Sequence, residues 1–172
     1  MLQGVFALNH LIVFGGDSAG GHLSLSLMAH LHRLRPTDLT IESSINWHGT
    51  FSADVLNRKV VDEWGVYLVD NSPLQEEISG GNGWGLALDV PEAWWENVSA
   101  VDHILVTGGY EEVFSDHIQR LGTMLKKKGE RYVTLYMANE AHDGLLMDFA
   151  AGICPSETTK SIADFVIACF MK

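Results

Sequence analysis

Cysteine is scarce in this chain. Its 172 residues hold two, Cys154 and Cys169, with no C-x-x-C pair. That gives neither a disulfide framework nor a thiolate zinc site. Both thiols are expected to be reduced and mostly buried, and the cytoplasm is the default compartment. Positive charge is scarce as well: 11 Lys and Arg stand against 22 Asp and Glu, for a net charge of −11. This argues against nucleic acid or an anionic membrane surface as partner. The one basic run, Lys126-Lys127-Lys128 before Gly129, reads as a solvated helix end where positive charge suits the dipole. No apolar run is long enough to span a membrane. The amino terminus carries neither a basic n-region nor a cleavage-like site. Asn97-Val98-Ser99 is a formal glycosylation sequon that matters only in a secreted chain. Repeats and low-complexity segments are absent. Among the eight histidines no pair has convincing ligand spacing, so neither a metal nor a cofactor is expected.

What is present is a globular composition, 47% hydrophobic and 19% charged, enough for one domain with one sizeable core. Leu11 to Phe14 read as a buried strand that runs into Gly15-Gly16-Asp17-Ser18-Ala19-Gly20-Gly21-His22. An apolar-periodic helix follows, with Leu23, Leu25, Leu27, Met28, Leu31 and Leu34 near helical spacing until Pro36. A second strand is expected at Thr40 to Trp47, a third at His103 to Thr107 and a fourth at Arg131 to Met137. Helices are expected from Glu111 to Lys128, entered through Ser115-Asp116, and from Ser156 to Met171, with Ile162, Phe165, Val166 and Phe170 inward. Strands alternating with helices imply an α/β fold with a parallel sheet covered by helices on both faces. Residues 50–98 interrupt that order as a lid-like or connecting excursion. A helix over Ser52 to Tyr67 puts Val55, Leu56, Val60, Val61, Trp64 and Tyr67 roughly on one face. The glycine loop at Gly80 to Gly85 and the Trp94-Trp95 pair follow. Those aromatics either line an apolar ligand site or dock the excursion on the body. The loop nearly matches a dinucleotide fingerprint but lacks the strand that would give it meaning.

Gly16-Asp17-Ser18-Ala19-Gly20 fits G-x-S-x-G, a sharp strand-turn-helix in which a Cβ at either glycine would clash. The turn raises the Ser18 hydroxyl at a helix N-terminus, where free N–H groups favour developing negative charge. The Ala19 backbone N–H is thus a candidate oxyanion donor. The bland alternative is a glycine-rich turn with an incidental serine. A phosphate loop fits poorly, because no Lys-Ser/Thr follows and Asp17 would repel the anion. A serine nucleophile needs a base, and the base needs an orienting acid, both from loops at the carboxyl ends of strands. His142, in Glu140-Ala141-His142-Asp143-Gly144 after the fourth strand, meets that condition; His48 is the rival. His22, His30 and His32 lie on the helix after Ser18, and His10 and His103 precede strands. After the third strand, spacing leaves Glu111, Glu112 and Asp116 open as the acid.

The elbow Gly16-Asp17-Ser18-Ala19-Gly20-Gly21 resembles that of the α/β-hydrolase superfamily, in its hormone-sensitive-lipase-like group (alpha/beta hydrolase fold-3). That family's Asp-Pro-Leu-x-Asp acid motif is met here by Glu112-Val113-Phe114-Ser115-Asp116, and its His-Gly-Phe loop by His142-Asp143-Gly144 with an inserted aspartate. The resemblance implies Glu112 as triad acid, with Glu111 in reserve. Gly108-Gly109-Tyr110-Glu111-Glu112-Val113-Phe114 and the tryptophan pair resemble fungal esterases of the steryl-acetyl-hydrolase kind. The family's early strands and His-Gly-Gly oxyanion loop have no counterpart in the seventeen residues before Ser18. The expected architecture over residues 1–172 is therefore a single partial α/β-hydrolase domain lacking the N-terminal strands. The sheet edge this exposes would pair with a second copy of the chain.

Two functions follow as expectations. One is a carboxylic-ester hydrolase in which Ser18 attacks a small or apolar ester, His142 shuttles the proton, Glu112 orients the imidazole and water clears an acyl-enzyme. The other is a catalytically weak truncated hydrolase fragment that serves as a binding or regulatory module, since losing one oxyanion donor costs about a hundred- to a thousandfold in turnover.

Overall fold

In a computed structural model of the chain, residues 13–21, 23–25, 28, 54, 56–73, 75–76, 88, 95–96 and 101–171 are described. The elements run α1 (Arg58–Asn71), β1 (Ile104–Gly109), α2 (Ser115–Leu125), β2 (Val133–Ala138), α3 (Gly144–Ala151) and α4 (Glu157–Phe170). Single 3-10 turns at Lys126–Lys128 and Glu130–Tyr132 join α2 to β2. Mixed helices and a parallel sheet make the described fold α/β.

The apolar run Ile104-Leu105-Val106 has no charged residue to solvate, so it is half-buried as β1 and pairs with β2. The pairing is parallel, with Ile104 opposite Val133 and Gly109 opposite Ala138. Parallel neighbours need a crossover, and α2 supplies it. Gly108 faces the Ile118 side chain of α2, and Gly122 of α2 faces Leu135. Tyr136, paired with Thr107, lies on the opposite face, where its phenol is near Lys160 of α4. The two helices thus cover the two faces of the pair.

The core forms where α2 meets the sheet. Met124 and Leu125 join Val133, Met28 and Trp95, and Leu25, Ile104, Val106 and Leu121 pack around them. Trp95 is 1% exposed, so this tryptophan of the excursion docks on the body and lines no ligand site. The Arg120 guanidinium fastens the same segment by donating to the Leu88 carbonyl at 3.1 Å. Leu25 and Met28 tie the helix after Ser18 to this core, and that anchors the elbow.

Several elements depart from the sequence expectation. The third strand extends to Gly109 and the following helix starts at Ser115, so residues 111–114 form a turn. The fourth strand starts two residues late, because Glu130–Tyr132 coil into a 3-10 turn after Gly129. Helix α3 was not anticipated; its apolar Gly144–Ala151 stretch has no polar face to give a helical period. In the excursion the helix is Arg58–Asn71 and its aromatic residues face solvent, with Trp64 61% and Tyr67 71% exposed. Arg58–Asp62 and Lys59–Glu63 pairs one turn apart support it instead. Phe170, expected inward, is exposed at the end of α4. Cys154 is exposed and Cys169 half-buried, since the first sits in the α3–α4 loop rather than on a packed face. Ser156 does cap α4, its hydroxyl accepting the Thr159 N–H at 3.3 Å.

Val13 and Phe14 are 36% and 38% exposed, and residues 13–16 belong to no ladder among the described residues. The expected buried strand is therefore not seen there. An apolar segment is buried as a strand only beside a partner, and among the described residues neither β1 nor β2 pairs with it. Leu11, Ile12, the strand at 40–47, the loop at 80–85, Trp94, the sequon at 97–99 and His10, His22, His30, His32 and His48 lie outside the described residues. Among the described residues no helix is long and apolar enough to cross a membrane.

Leu125 is fully buried at the centre of this packing. Its truncation to alanine should cost about 2–5 kcal/mol, read as a lowered denaturant midpoint.

Candidate active site

The elbow is built from a close approach of backbone to backbone. A Cβ on Gly16 would stand 2.2 Å from the Gly20 carbonyl carbon, so no larger residue fits. The expectation of a second clash, at Gly20 itself, is not met: nothing described lies within 4 Å of its added Cβ. The Gly20 N–H closes the turn onto the Asp17 carbonyl at 2.8 Å. Ser18 takes a left-handed backbone at φ 51°, a strained geometry for a non-glycine residue. Helix begins at the next residue, Ala19. The hydroxyl thus stands at a helix N-terminus.

The base arrives from the carboxyl end of β2. The Ser18 Oγ is 2.8 Å from His142 Nε2, although 124 residues separate them in sequence. The acid comes from the turn after β1. His142 Nδ1 is 2.7 Å from Glu112 Oε2, and both side chains are almost fully buried. A carboxylate only accepts hydrogen bonds, so Nδ1 carries the proton in the neutral ring. Nε2 then accepts from the Ser18 hydroxyl. The other Glu112 oxygen accepts the Gly109 N–H at 2.6 Å, which fixes the carboxylate plane. Glu111 and Asp116 are exposed. Of the three acids that spacing left open, Glu112 is the one brought to the imidazole. His103 sits before β1 with its ring 6.1 Å from Tyr132, away from Ser18. The Phe114 ring meets the His142 ring edge-on, centroids 5.4 Å apart.

Three carboxylates that sequence reasoning did not assign surround this relay. Asp54 accepts the Val113 N–H at 2.7 Å through one oxygen and the His142 N–H at 3.0 Å through the other. Asp143 is left-handed at φ 55°. That conformation carries its Oδ1 to 3.2 Å from His142 Nε2, where the oxygen is buried without a hydrogen-bond donor. Asp17 lies against Asp143. Burial first, and then the neighbouring Asp143 charge and hydrogen bond, raise the Asp17 pKa above the ordinary carboxylate value. The inserted aspartate after His142 was the sequence signal for Asp143. Asp54 had none, because its partners are backbone groups 59 and 88 residues away.

His142 is tuned upward. Its hydrogen bond to Glu112 is the largest cause, burial opposes it, and the charges of Asp143, Glu112 and Asp54 add to it. Asp143 acts by simple electrostatics: its oxygen faces a lone pair when the ring is neutral and an N–H when the ring is protonated. The arrangement can take a proton from Ser18 and hold the resulting imidazolium between two carboxylates. Among the described residues no group of three or more His, Cys, Asp or Glu could hold a metal ion. No protein-family model, curated protein or solved structure matches the chain.

The His142 ring should titrate above the ordinary histidine value when followed by NMR. Asp143→Asn should move that midpoint down, since it removes a charge that favours the protonated ring.

Proposed function

We propose that the chain is a carboxylic-ester hydrolase working through Ser18, His142 and Glu112, in the manner of the α/β-hydrolase superfamily that its elbow resembles. One observation carries the reading. Two hydrogen bonds of 2.8 and 2.7 Å run from a serine in a strained elbow, through a buried histidine, to a buried glutamate. The three residues are far apart in sequence and occur in the chain order Ser, acid, His. A satisfied core histidine does not need a partner on each ring nitrogen, one of them a hydroxyl on a left-handed turn.

The reaction follows from the geometry. Ser18 Oγ attacks the ester carbonyl while its proton passes to Nε2. The carbonyl oxygen becomes an oxyanion, to which the Ala19 N–H donates. The imidazolium is held by Glu112 on Nδ1. It returns its proton to the alkoxide oxygen as the carbon–oxygen bond breaks, which leaves acyl-Ser18 and a free alcohol. Water then gives a proton to Nε2 and attacks the acyl carbon. Collapse releases the carboxylic acid and restores the serine. The Glu112 carboxylate keeps its charge throughout and holds the tautomer. Val13 and Phe14, next to the elbow in the chain, are open to solvent; apolar side chains there suit a small or apolar ester.

A fluorophosphonate should label the wild-type protein at Ser18, and Ser18→Ala should abolish labelling. Folded protein that takes no label sinks the reading. The rate of labelling should rise with pH along the protonation curve of His142, because only the neutral ring can accept the serine proton. Glu112→Gln should slow acylation about a hundred- to ten-thousandfold by losing the tautomer.

A further inference from the structure

The relay does not explain what holds its two halves in register. Glu112 and His142 ride on separate turns, one after each strand, and their side chains meet through a single hydrogen bond of 2.7 Å. One group outside both turns touches both: the Asp54 carboxylate, which takes the Val113 N–H on Oδ2 and the His142 N–H on Oδ1. Val113 immediately follows the acid, and the second amide belongs to the base itself. The two oxygens of one planar carboxylate stand at a fixed separation, so the two backbones must stand at a matching one. A charged acceptor also makes stronger hydrogen bonds than a neutral one.

From this clamp we infer that Asp54 is a positioning residue for the Ser18–His142–Glu112 relay. It steadies the acid-to-base distance that the β1–β2 ladder brings about and couples the chain just ahead of α1 to the site. The inference rests on the proposed hydrolase reading for its kinetic consequence, though not for its structural one. Asp54 contacts no reacting atom. It acts through the backbones that carry Glu112 and His142, and α1 begins four residues after it. A displacement of the excursion would therefore be felt as a change in the hydrogen bond at Nδ1. That bond is sensitive to such a change, since a misplacement of about 1 Å at a reacting constellation costs on the order of a hundredfold.

Asp54→Asn is the informative variant. Its amide keeps the size but turns one acceptor into a donor, which then confronts an N–H. Hydrolysis of a short-chain p-nitrophenyl ester should show kcat down about ten- to a hundredfold with KM within about twofold. Fluorophosphonate labelling should slow in parallel. The far-downfield proton resonance of the His142 Nδ1–H should shift or broaden, while circular dichroism stays that of the wild type. Asp54→Glu, which retains both acceptors, should recover part of the rate. An Asp54→Asn protein with unchanged kcat, labelling rate and Nδ1–H resonance overturns the inference, as does an equal loss of kcat in a variant that has lost its fold. Amide hydrogen exchange on the wild-type protein needs no variant: Val113 and His142 should both be protected, and free exchange of either overturns the clamp. If the wild type neither turns over nor takes label, the hydrolase reading fails. The resonance and the exchange data still decide the role of Asp54.

Discussion

The parallel pairing of β1 with β2 is the constraint on which the site depends. The ladder aligns Gly109 with Ala138, and backbone bonding continues past both strands: the Tyr110 N–H reaches the Ala138 carbonyl at 2.7 Å and the Glu111 N–H the Glu140 carbonyl at 3.2 Å. Two turns that are about thirty residues apart in sequence are thereby zipped side by side. A Cβ on Gly109 would stand 1.9 Å from the Glu140 carbonyl oxygen, so the approach is set by backbone and cannot be relaxed by a rotamer. Glu112 and His142 meet because their turns leave one ladder at one level. An antiparallel pair would have put the two turns at opposite ends of the strands.

That constraint explains which residues could be read in advance. Ser18 and His142 carry recognisable side-chain chemistry at positions that strand–turn–helix order dictates, whereas order left Glu111, Glu112 and Asp116 open as the acid and only the family resemblance favoured Glu112. The shape of the helices was less legible. Glu111 to Phe114 have the composition of a helix start, yet they form a turn because the Glu112 carboxylate is drawn inward to the Gly109 N–H and the imidazole. Local propensity loses there to two buried hydrogen bonds. Helix α3 escaped notice for the opposite reason: Leu145, Leu146, Met147 and Phe149 offer no polar alternation, and a short apolar run does not declare its period. Asp54 was illegible in principle, because an acceptor for backbone N–H groups depends on which loops converge and not on its neighbours in the chain.

The tryptophans of the excursion resolve one choice that composition left even. Trp95 fills the space between Met28, Met124, Leu125 and Val133, where an indole removes a large apolar area from water and fastens the segment to α2. Trp64 does nothing of the kind. It stands on α1 in solvent, as do Val60 and Tyr67, on a helix that also carries the Arg58–Asp62 and Lys59–Glu63 pairs. One excursion therefore has a docked end and an open one. Asp54 sits just ahead of the open one, where it touches both catalytic turns.

The charges around the imidazole pull in two directions, and their balance shapes the chemistry. Glu112 faces Nδ1 and favours both the tautomer that accepts the serine proton and the imidazolium that results. Asp143 faces Nε2, the working nitrogen, and favours only the imidazolium. Its buried oxygen has no donor while the ring is neutral and gains one when the proton arrives. In the proposed reaction the same group would steady the imidazolium and raise the pH at which the neutral ring becomes available. Burial first, and the neighbouring Asp143 charge second, raise the Asp17 pKa in the same corner. The proposed ester hydrolysis would bring one further negative charge, the oxyanion, into this corner. In that reaction the Ala19 N–H, at the helix N-terminus beside Ser18, would be the donor that offsets it.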